Sequence, residues 1–331
     1  MMGAAQRFSL GLLLVALATL PLWIARVGLY QYLGIEILVW GLYALSYNLL
    51  LGYTGLPSFG HGAYFGVGAY AFGLMQKYVG TNLWLDLAGA ILAAALSGAL
   101  VATFISHRRG IYYALMTIAF CQIFWFVAIK WYSVTGGEDG LLGLKRMPAE
   151  LGFASISLAD NVALYYFVLV VCVVVTALLW RIVHSPFGRV IQAIRQNETR
   201  VAFVGYHVWL YKWLVFVLSA GLSGLAGALF ALAQLGAFPD VMSLHSSGFV
   251  VMMTLIGGGL VSFWGPLIGA AIFFIARDAL GALTSTWSLW YGLMFMAIVV
   301  LKPEGIAGVW QSWRSRRNAR SGTPAPVKAG A

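Results

Sequence analysis

Most of this chain consists of long runs without a charged residue, and these runs constrain its fold more than any other feature. Eight of them occupy residues 8–25, 37–76, 87–106, 110–129, 161–180, 213–239, 241–276 and 279–301. A helix needs about 20 residues to cross the roughly 30 Å hydrocarbon core of a bilayer. Only 9% of the residues are charged, whereas a soluble domain carries roughly 25%. The sequence therefore predicts a polytopic, all-α membrane protein.

Two of these runs, residues 37–76 and 241–276, are too long for one crossing. Glycine- and proline-rich breaks at residues 52–58 and 257–266 divide them. Broken helices persist at membrane depth only where protein or a watery cavity covers the freed backbone groups. The split runs and the remaining ones predict about ten membrane helices, including short or re-entrant elements.

The distribution of charge predicts the orientation of these elements. If they alternate across the bilayer, the side that holds both termini carries basic residues at 108–109, 181–200 and 314–320, and the other side carries more acidic than basic residues. Cytoplasmic loops are enriched in Lys and Arg. Both termini are thus predicted to be cytoplasmic, with residues 8–25 as an uncleaved first helix. We expect a transmembrane domain over residues 1–310 and a basic, disordered cytoplasmic tail over residues 311–331.

Two segments between the spans are long enough to form structure outside the bilayer. The outer segment, residues 130–161, is rich in turn residues and acidic. The inner segment, residues 185–207, begins with Ser185 and Pro186, which suit the N-cap and the first position of a helix. Apolar residues then recur at helical spacing as far as Gly205, where a left-handed residue would end the helix. We expect one amphipathic helix here.

Charged and polar residues inside the spans are few. Glu36, Arg277 and Asp278 lie near outer span ends and are expected to be interfacial, with the neighbours Arg277 and Asp278 facing apart. On the inner segment, Arg195 and Glu198 are spaced for an ion pair. Polar residues inside spans either line a pathway or bond neighbouring helices. The candidates for the translocation pathway are Asn48, Thr117, Gln122, Gln234 and Thr254.

Several classes of function are excluded by what the sequence lacks. It contains no G-x-x-x-x-G-K-[ST] motif, so it does not hydrolyse nucleotide through a P-loop. Its two cysteines, Cys121 and Cys172, lie in apolar runs and form neither a disulfide framework nor a usual metal site. No nucleophile–base arrangement suggests a membrane enzyme, and the net charge of +10 reflects membrane orientation rather than nucleic-acid binding. The residues alone leave two alternatives open, a subunit driven by a separate ATPase and a self-sufficient secondary transporter or channel.

Several motifs, in order along nearly the whole chain, resemble one family. They are residues 49–65 (LLLGYTGLPSFGHGAYF), 133–141 (SVTGGEDGL), 185–205, the glycines at 257–259 followed by Gly265-Pro266, and 302–306 (KPEGI). The chain resembles the permease subunits of branched-chain amino acid ABC importers, and the M-type subunit more than the H-type. The class of self-sufficient transporters is favoured only by a short internal repetition, in which Gly55-Leu56-x-Ser58-Phe59 returns at residues 259–263.

The resemblance implies a transport subunit of the bacterial inner membrane, not an enzyme, with no cofactor of its own. Its partners would be a second permease, two cytoplasmic ATPases that use ATP, and a periplasmic or extracellular solute-binding protein. Branched-chain amino acids are the default substrate, since family members also move other small solutes. The inner segment, residues 185–207, would carry the coupling helix and is called the coupling segment below. Residues implied to act in coupling are Arg189, Ala193, Ile194, Arg195, Glu198 and Gly205.

Overall fold

The computed structural model describes residues 32–80, 82–150, 155–260, 262–284 and 286–301, together with the single positions 19, 305 and 308. The expectations for a first helix at 8–25 and a tail at 311–331 lie outside these residues. The described residues form twelve α-helices, with four strands of two residues each. The prediction of an all-α fold is confirmed.

The helices are numbered in chain order. They are α1 (Tyr32–Asn48, continued by the π-helix Leu49–Thr54), α2 (Gly62–Tyr78), α3 (Leu83–Ile105), α4 (Gly110–Lys130), α5 (Tyr132–Thr135), α6 (Asn161–Val183), α7 (Pro186–Gln196), α8 (Glu198–Phe203), α9 (Val208–Gln234), α10 (Leu244–Gly257), α11 (Gly265–Leu283) and α12 (Trp287–Leu301). Short 3₁₀-helices lie at Gly137–Asp139 and Pro239–Met242.

Six of the described helices are long and apolar enough to cross a membrane. These are α1 with its π-helical extension, α3, α4, α6, α9 and α11. Helix α10 and part of α12 are shorter apolar helices. Large apolar side chains such as Leu96, Phe126 and Val174 are exposed on these helices, as expected where lipid rather than water is the surrounding solvent.

The helices run between two ends of the molecule, which we name by their connecting segments. At the loop end, β1 (Leu141–Leu142) pairs with β4 (Gly236–Ala237), and β2 (Ala149–Glu150) pairs with β3 (Ser155–Ile156), both antiparallel. Trp84 donates from Nε1 to the carbonyl of Glu150 over 2.7 Å, which ties the start of α3 to this end. The coupling segment lies at the opposite, coupling end.

The first glycine-rich break turns the chain back into the interior. Helix α1 ends at Gly55, which adopts the left-handed conformation with φ 74°. The chain then returns between the helices, where Phe59 N donates to Thr117 Oγ1 over 3.1 Å. Helix α2 begins there, since Gly62 N donates to Ser247 Oγ over 3.0 Å. Helix α2 therefore starts inside the bundle and extends from there toward the loop end.

The second break has the same form. Helix α10 ends at Gly258, whose φ is 84°. Helix α11 then begins at Gly265, as far along the chain from Gly258 as Gly62 is from Gly55. In the structure the left-handed Gly55 corresponds to the left-handed Gly258. The repetition in the sequence instead aligns Gly55 with Gly259, so the two alignments differ by one residue. Both long uncharged runs are split where glycine and proline predicted.

Helix α9 packs against α1, α2 and α3 through small residues. A Cβ at Gly224 would overlap the Cβ of Ala94, and one at Gly227 would overlap the carbonyl of Phe65. Small residues let helix backbones approach closely, which is the main source of helix association in lipid. The close packing of α9 gives the bundle a rigid centre around which the breaks are arranged.

The acidic and basic residues near the loop end interact, contrary to one expectation. Arg277 Nη2 lies 2.8 Å from Glu36 Oε2, and Arg277 Nε lies 3.1 Å from Asp278 Oδ1. The prediction that Arg277 and Asp278 face apart is wrong, because the long Arg277 side chain bends over the Phe274 ring, 4.5 Å from its centroid. The three charges bind the start of α1 to α11.

Candidate coupling site

The coupling segment begins as the sequence predicted. Ser185 Oγ accepts a hydrogen bond from Gly188 N over 3.3 Å, and Pro186 occupies the first turn of α7. A Cβ at Gly188 would overlap the carbonyl of Val183, so only glycine permits this close turn out of α6. These residues place α7 directly against the C-terminal end of α6.

The segment is not one helix but two. Asn197 adopts an extended conformation with φ −160° and ψ 100°. Its Oδ1 accepts a hydrogen bond from Arg200 N over 2.9 Å and so caps α8. Asparagine is favoured at an N-cap because its side chain replaces a missing backbone partner. The prediction of a continuous helix to Gly205 is therefore wrong at Asn197, whereas Gly205 does adopt the left-handed conformation, with φ 97°.

Arg195 is exposed, but its side chain reaches back to the ends of two other helices. Its Nη1 donates to the carbonyl of Gly52 and, over 3.1 Å, to the carbonyl of Leu260. The first carbonyl lies at the end of α1 and the second follows α10. The expected pair between Arg195 and Glu198 does not form, because the Arg195 side chain is used at these two helix ends.

Glu198 binds two other cations at the coupling end. Its Oε2 lies 2.7 Å from Arg109 Nε, and its Oε1 lies 3.3 Å from Lys212 Nζ. Lys212 also donates to the carbonyl of Arg108 over 2.7 Å. Helix α8 is thereby fixed to the turn between α3 and α4 and to the start of α9.

The remaining residues assigned to coupling differ in exposure. Arg189 and Gly205 are exposed, Ala193 is half-buried, and Ile194 is buried against Val201 and Val208. The Ile194 side chain is thus occupied within this chain. The surface that the segment offers lies instead at the C-terminal end of α8, where Phe203, the last residue of the helix, is 87% exposed and Val204 is 71% exposed.

Two of the pathway candidates meet where the breaks touch. A Cβ at Gly52 would overlap Asn48 Oδ1 and lie 2.6 Å from the carbonyl of Gly259. A Cβ at Gly259 would lie 2.7 Å from both Asn48 Oδ1 and Thr254 Cγ2. We call these four residues, Asn48, Gly52, Thr254 and Gly259, the break junction. Both glycines are needed for the backbones to approach this closely.

The two polar side chains of the break junction differ in their hydrogen bonds. Thr254 Oγ1 donates to the carbonyl of Val250 over 2.8 Å. Asn48 is fully buried, and neither its Oδ1 nor its Nδ2 has a hydrogen-bond partner among the described residues. Beside the junction lies a cavity of about 420 Å³, whose lining includes Tyr53, Gln192, Gln196 and Ser262. The coupling segment and both breaks therefore line one cavity.

The other three candidates lie apart from the break junction. Thr117 is buried and accepts from Phe59 N, so it supports the returning chain after the first break. Gln122 is half-buried on α4, and Gln234 is exposed at the last turn of α9. The structure brings Asn48 and Thr254 together, but it does not bring Gln122 or Gln234 to them.

Among the buried polar residues that the sequence-based assignment missed is His61, which lies at the start of α2. His61 is fully buried among the rings of Tyr43, Tyr47 and Phe216. Its Nε2 lies 2.8 Å from Ser219 Oγ, and Ser219 itself donates to the carbonyl of Ser46 over 2.7 Å. The signal in the sequence was the position of His61 between Gly60 and Gly62, both of which lie against backbone or side chains of other helices.

Comparison with known proteins agrees with this geometry. The model of the family described as "Branched-chain amino acid transport system / permease component" matches residues 30–301. The high-affinity branched-chain amino acid transport system permease protein LivM of Escherichia coli K12 is 28% identical over 281 residues, which is 79% of this chain and 66% of that protein. The chain thus spans just under two thirds of the length of this relative.

Other relatives are named for the transport of either branched-chain amino acids or other compounds. A probable branched-chain amino acid transport permease protein LivM of Methanocaldococcus jannaschii is 23% identical over 321 residues, 82% of this chain and 92% of that protein. The ribose import permease protein RbsC of Haemophilus influenzae is 32% identical over 133 residues, 39% of this chain and 41% of that protein. No solved structure matches the chain. Because the family model covers most of its length, the chain belongs to the family of branched-chain amino acid transport system permease components.

Proposed function

We propose that this chain is the membrane permease subunit of an ATP-driven importer that moves branched-chain amino acids, or related small solutes, into the cell. Its partners are a second permease subunit, two cytoplasmic ATPases and an external solute-binding protein. The match to the family over residues 30–301 carries this proposal. The LivM relatives, which are named for the transport of branched-chain amino acids, supply the substrate class.

The orientation follows from the charges of the two ends. The coupling end carries Arg108, Arg109, Arg189 and Arg195, and the positive-inside bias of membrane proteins places such an end in the cytoplasm. We propose nine passes for the described chain, six through the long apolar helices α1, α3, α4, α6, α9 and α11 and three through the shorter helices α2, α10 and α12. If the uncharged run at residues 8–25 is counted as a further crossing, the proposal has ten crossings and predicts that both termini are cytoplasmic.

We assign coupling to the surface at the C-terminal end of α8. A permease that lacks a P-loop must receive work from another subunit through contact. Phe203 and Val204 form an exposed apolar pair at the coupling end, held in place by the ion pairs of Glu198. Exposed apolar residues rimmed by charge are typical of protein interfaces. We place the ATPase against this pair and Arg189, with Arg195 and Glu198 holding the segment to the membrane domain.

The test compares the same substitution at opposite ends. Val204→Asp at the coupling end should prevent the ATPases from co-purifying with the permease. Val79→Asp provides the matched control, because Val79 is 63% exposed and follows α2 at the loop end. We expect the control to retain the ATPases and ATP-dependent uptake. Equal retention of the ATPases by both variants would contradict the assignment of this surface.

A further inference from the structure

Arg195 joins three parts of the chain that are distant in sequence. Its guanidinium contacts the carbonyl of Gly52 at the end of α1 and that of Leu260 after α10, while its backbone belongs to α7 of the coupling segment. Any displacement of α7 must either carry both helix ends with it or break these hydrogen bonds. The contact is therefore in the right place to transmit motion.

The two carbonyls are available because each lies at or just beyond a helix end. The last carbonyls of a helix lack backbone partners, and the partial negative charge there favours a cation. In a π-helix each carbonyl accepts from the backbone N–H five residues later. For Gly52 in the π-helix Leu49–Thr54 that residue is Pro57, and proline has no backbone N–H. Arg195 takes the place of the missing donor.

The surrounding glycines admit the Arg195 side chain. A Cβ at Gly55 would lie 2.9 Å from Arg195 Cγ, and Gly55 has the positive φ that glycine adopts without strain. The backbones of Gly52 and Gly259 approach each other closely, so that the two breaks also touch each other. The Arg195 side chain thus contacts both breaks and lines the cavity beside them.

The break junction contains an unfavourable buried group, which makes movement of the two breaks relative to each other easier. Asn48 lies between Gly52 and Gly259 with both polar atoms of its buried amide unpaired among the described residues. A buried unsatisfied amide raises the free energy of the arrangement that contains it. A shift of one break relative to the other is correspondingly easier, and the neighbouring cavity at Ser262 leaves space for it.

We propose that Arg195 is a positioning residue that moves both chain breaks with the coupling segment, so that ATPase-driven displacement of the segment opens or closes the pathway at the break junction. The inference rests on the proposed function, because it needs a partner that displaces the segment. Beyond that function, we infer that one side chain transmits the displacement of the segment to two helix ends. A cap that only stabilised the helix ends would not link transport to ATP hydrolysis.

The test measures solute moved per ATP hydrolysed in the complete reconstituted complex. Arg195→Gln should lower this ratio about tenfold, since charge-assisted hydrogen bonds are lost, while the ATPases stay bound and continue to hydrolyse ATP. Arg195→Lys, whose ammonium can donate to both carbonyls, should restore part of the ratio. Arg181→Gln is the control, because Arg181 is exposed in the last turn of α6 at the same end of the molecule and has no assigned role; it should leave the ratio unchanged.

A second measurement separates positioning from stability. Ser262→Cys places a thiol at the cavity, whereas the two natural cysteines are buried. Its labelling rate by a maleimide should change when ATP is added, and Arg195→Gln should abolish that change. Each of three results would overturn the inference. The transport ratio could be unaltered in Arg195→Gln, or the ATP-dependent change in labelling could be the same with and without this substitution. Uptake and ATP hydrolysis could also fall together with the amount of folded protein. Failure of the proposed function is distinguishable, because the unsubstituted complex would then show no ATP-dependent uptake.

Discussion

Glu198 and Lys212 form an ion pair at the coupling end, with 3.3 Å between Oε1 and Nζ, although the Lys212 side chain is fully buried. Arg109 approaches the other carboxylate oxygen to 2.7 Å. A single carboxylate therefore compensates two cations that belong to different parts of the chain. The relationship explains how the short helix α8 keeps a fixed position relative to the spans.

Glu198→Lys should destabilise the subunit itself, because it brings three positive charges together around a buried ammonium group. Removal of one partner from a buried ion pair costs about 3–5 kcal/mol, and partial exposure of Glu198 places the expected cost at the lower limit of that range. Thermal unfolding of the purified subunit in detergent measures it. Arg109→Ala is the control, since the side chain of Arg109 is 60% exposed and an exposed pair contributes at most about 1 kcal/mol. Equal unfolding temperatures for the two variants would contradict the buried pair.

Gly224→Ala should destabilise the bundle, because the added methyl group would overlap Ala94 on α3. Overpacking of this kind costs about 1–3 kcal/mol. Gly281→Ala is the same substitution where a Cβ meets nothing within 4 Å, and there alanine favours the helix by up to about 1 kcal/mol. The yield of monodisperse protein after heating should fall for the first variant and hold for the second. The reverse order would exclude close packing between α9 and α3.

Asn48→Ala should change function more than stability. The substitution removes an unpaired buried amide, which recovers about 1–3 kcal/mol, and it loses packing of similar size. We therefore expect an unfolding temperature close to that of the unsubstituted protein together with slower uptake. A large loss of stability would show instead that the amide is well satisfied and that the break junction is a rigid support.

The local features of this fold were predictable, because they depend on neighbouring residues. Glycine and proline marked both breaks, Ser185 marked the start of α7, and Gly205 marked a left-handed turn. Each of these signals acts through the backbone of the residue itself or through a partner within one turn. Long uncharged runs likewise predicted the spans through their length alone.

The partners of long side chains were not predictable, because they lie far away in sequence. Spacing suggested that Arg195 would pair with Glu198, yet Arg195 reaches Gly52 and Leu260, and Glu198 reaches Lys212. Asn197 interrupts the coupling segment because its side chain caps the second helix. An asparagine can either cap a new helix in this way or continue the existing one, and the two conformations differ little in free energy. The burial of His61 likewise depends on helices that meet only in the folded chain.

Glu138→Cys should be labelled by a membrane-impermeant maleimide added outside the cell. Glu138 is exposed at the loop end, which the charge distribution places on the outer side. Arg189→Cys, exposed at the coupling end, should be labelled only after the membrane is opened. A reporter fused after Leu301 should likewise indicate the cytoplasm. Labelling of Glu138→Cys from the inside alone would contradict the proposed orientation, and it would contradict the ten crossings if the reporter after Leu301 still indicated the cytoplasm.

The most direct test of ATP-driven import is the accumulation of labelled leucine in proteoliposomes that contain both permeases and both ATPases. Leucine and the solute-binding protein are supplied on the side of the loop end, and ATP on the side of the coupling end. We expect accumulation that requires both ATP and the binding protein and that is lost in Val204→Asp but kept in Val79→Asp. Accumulation that proceeds equally without ATP would identify a self-sufficient transporter and contradict coupling through residues 185–207.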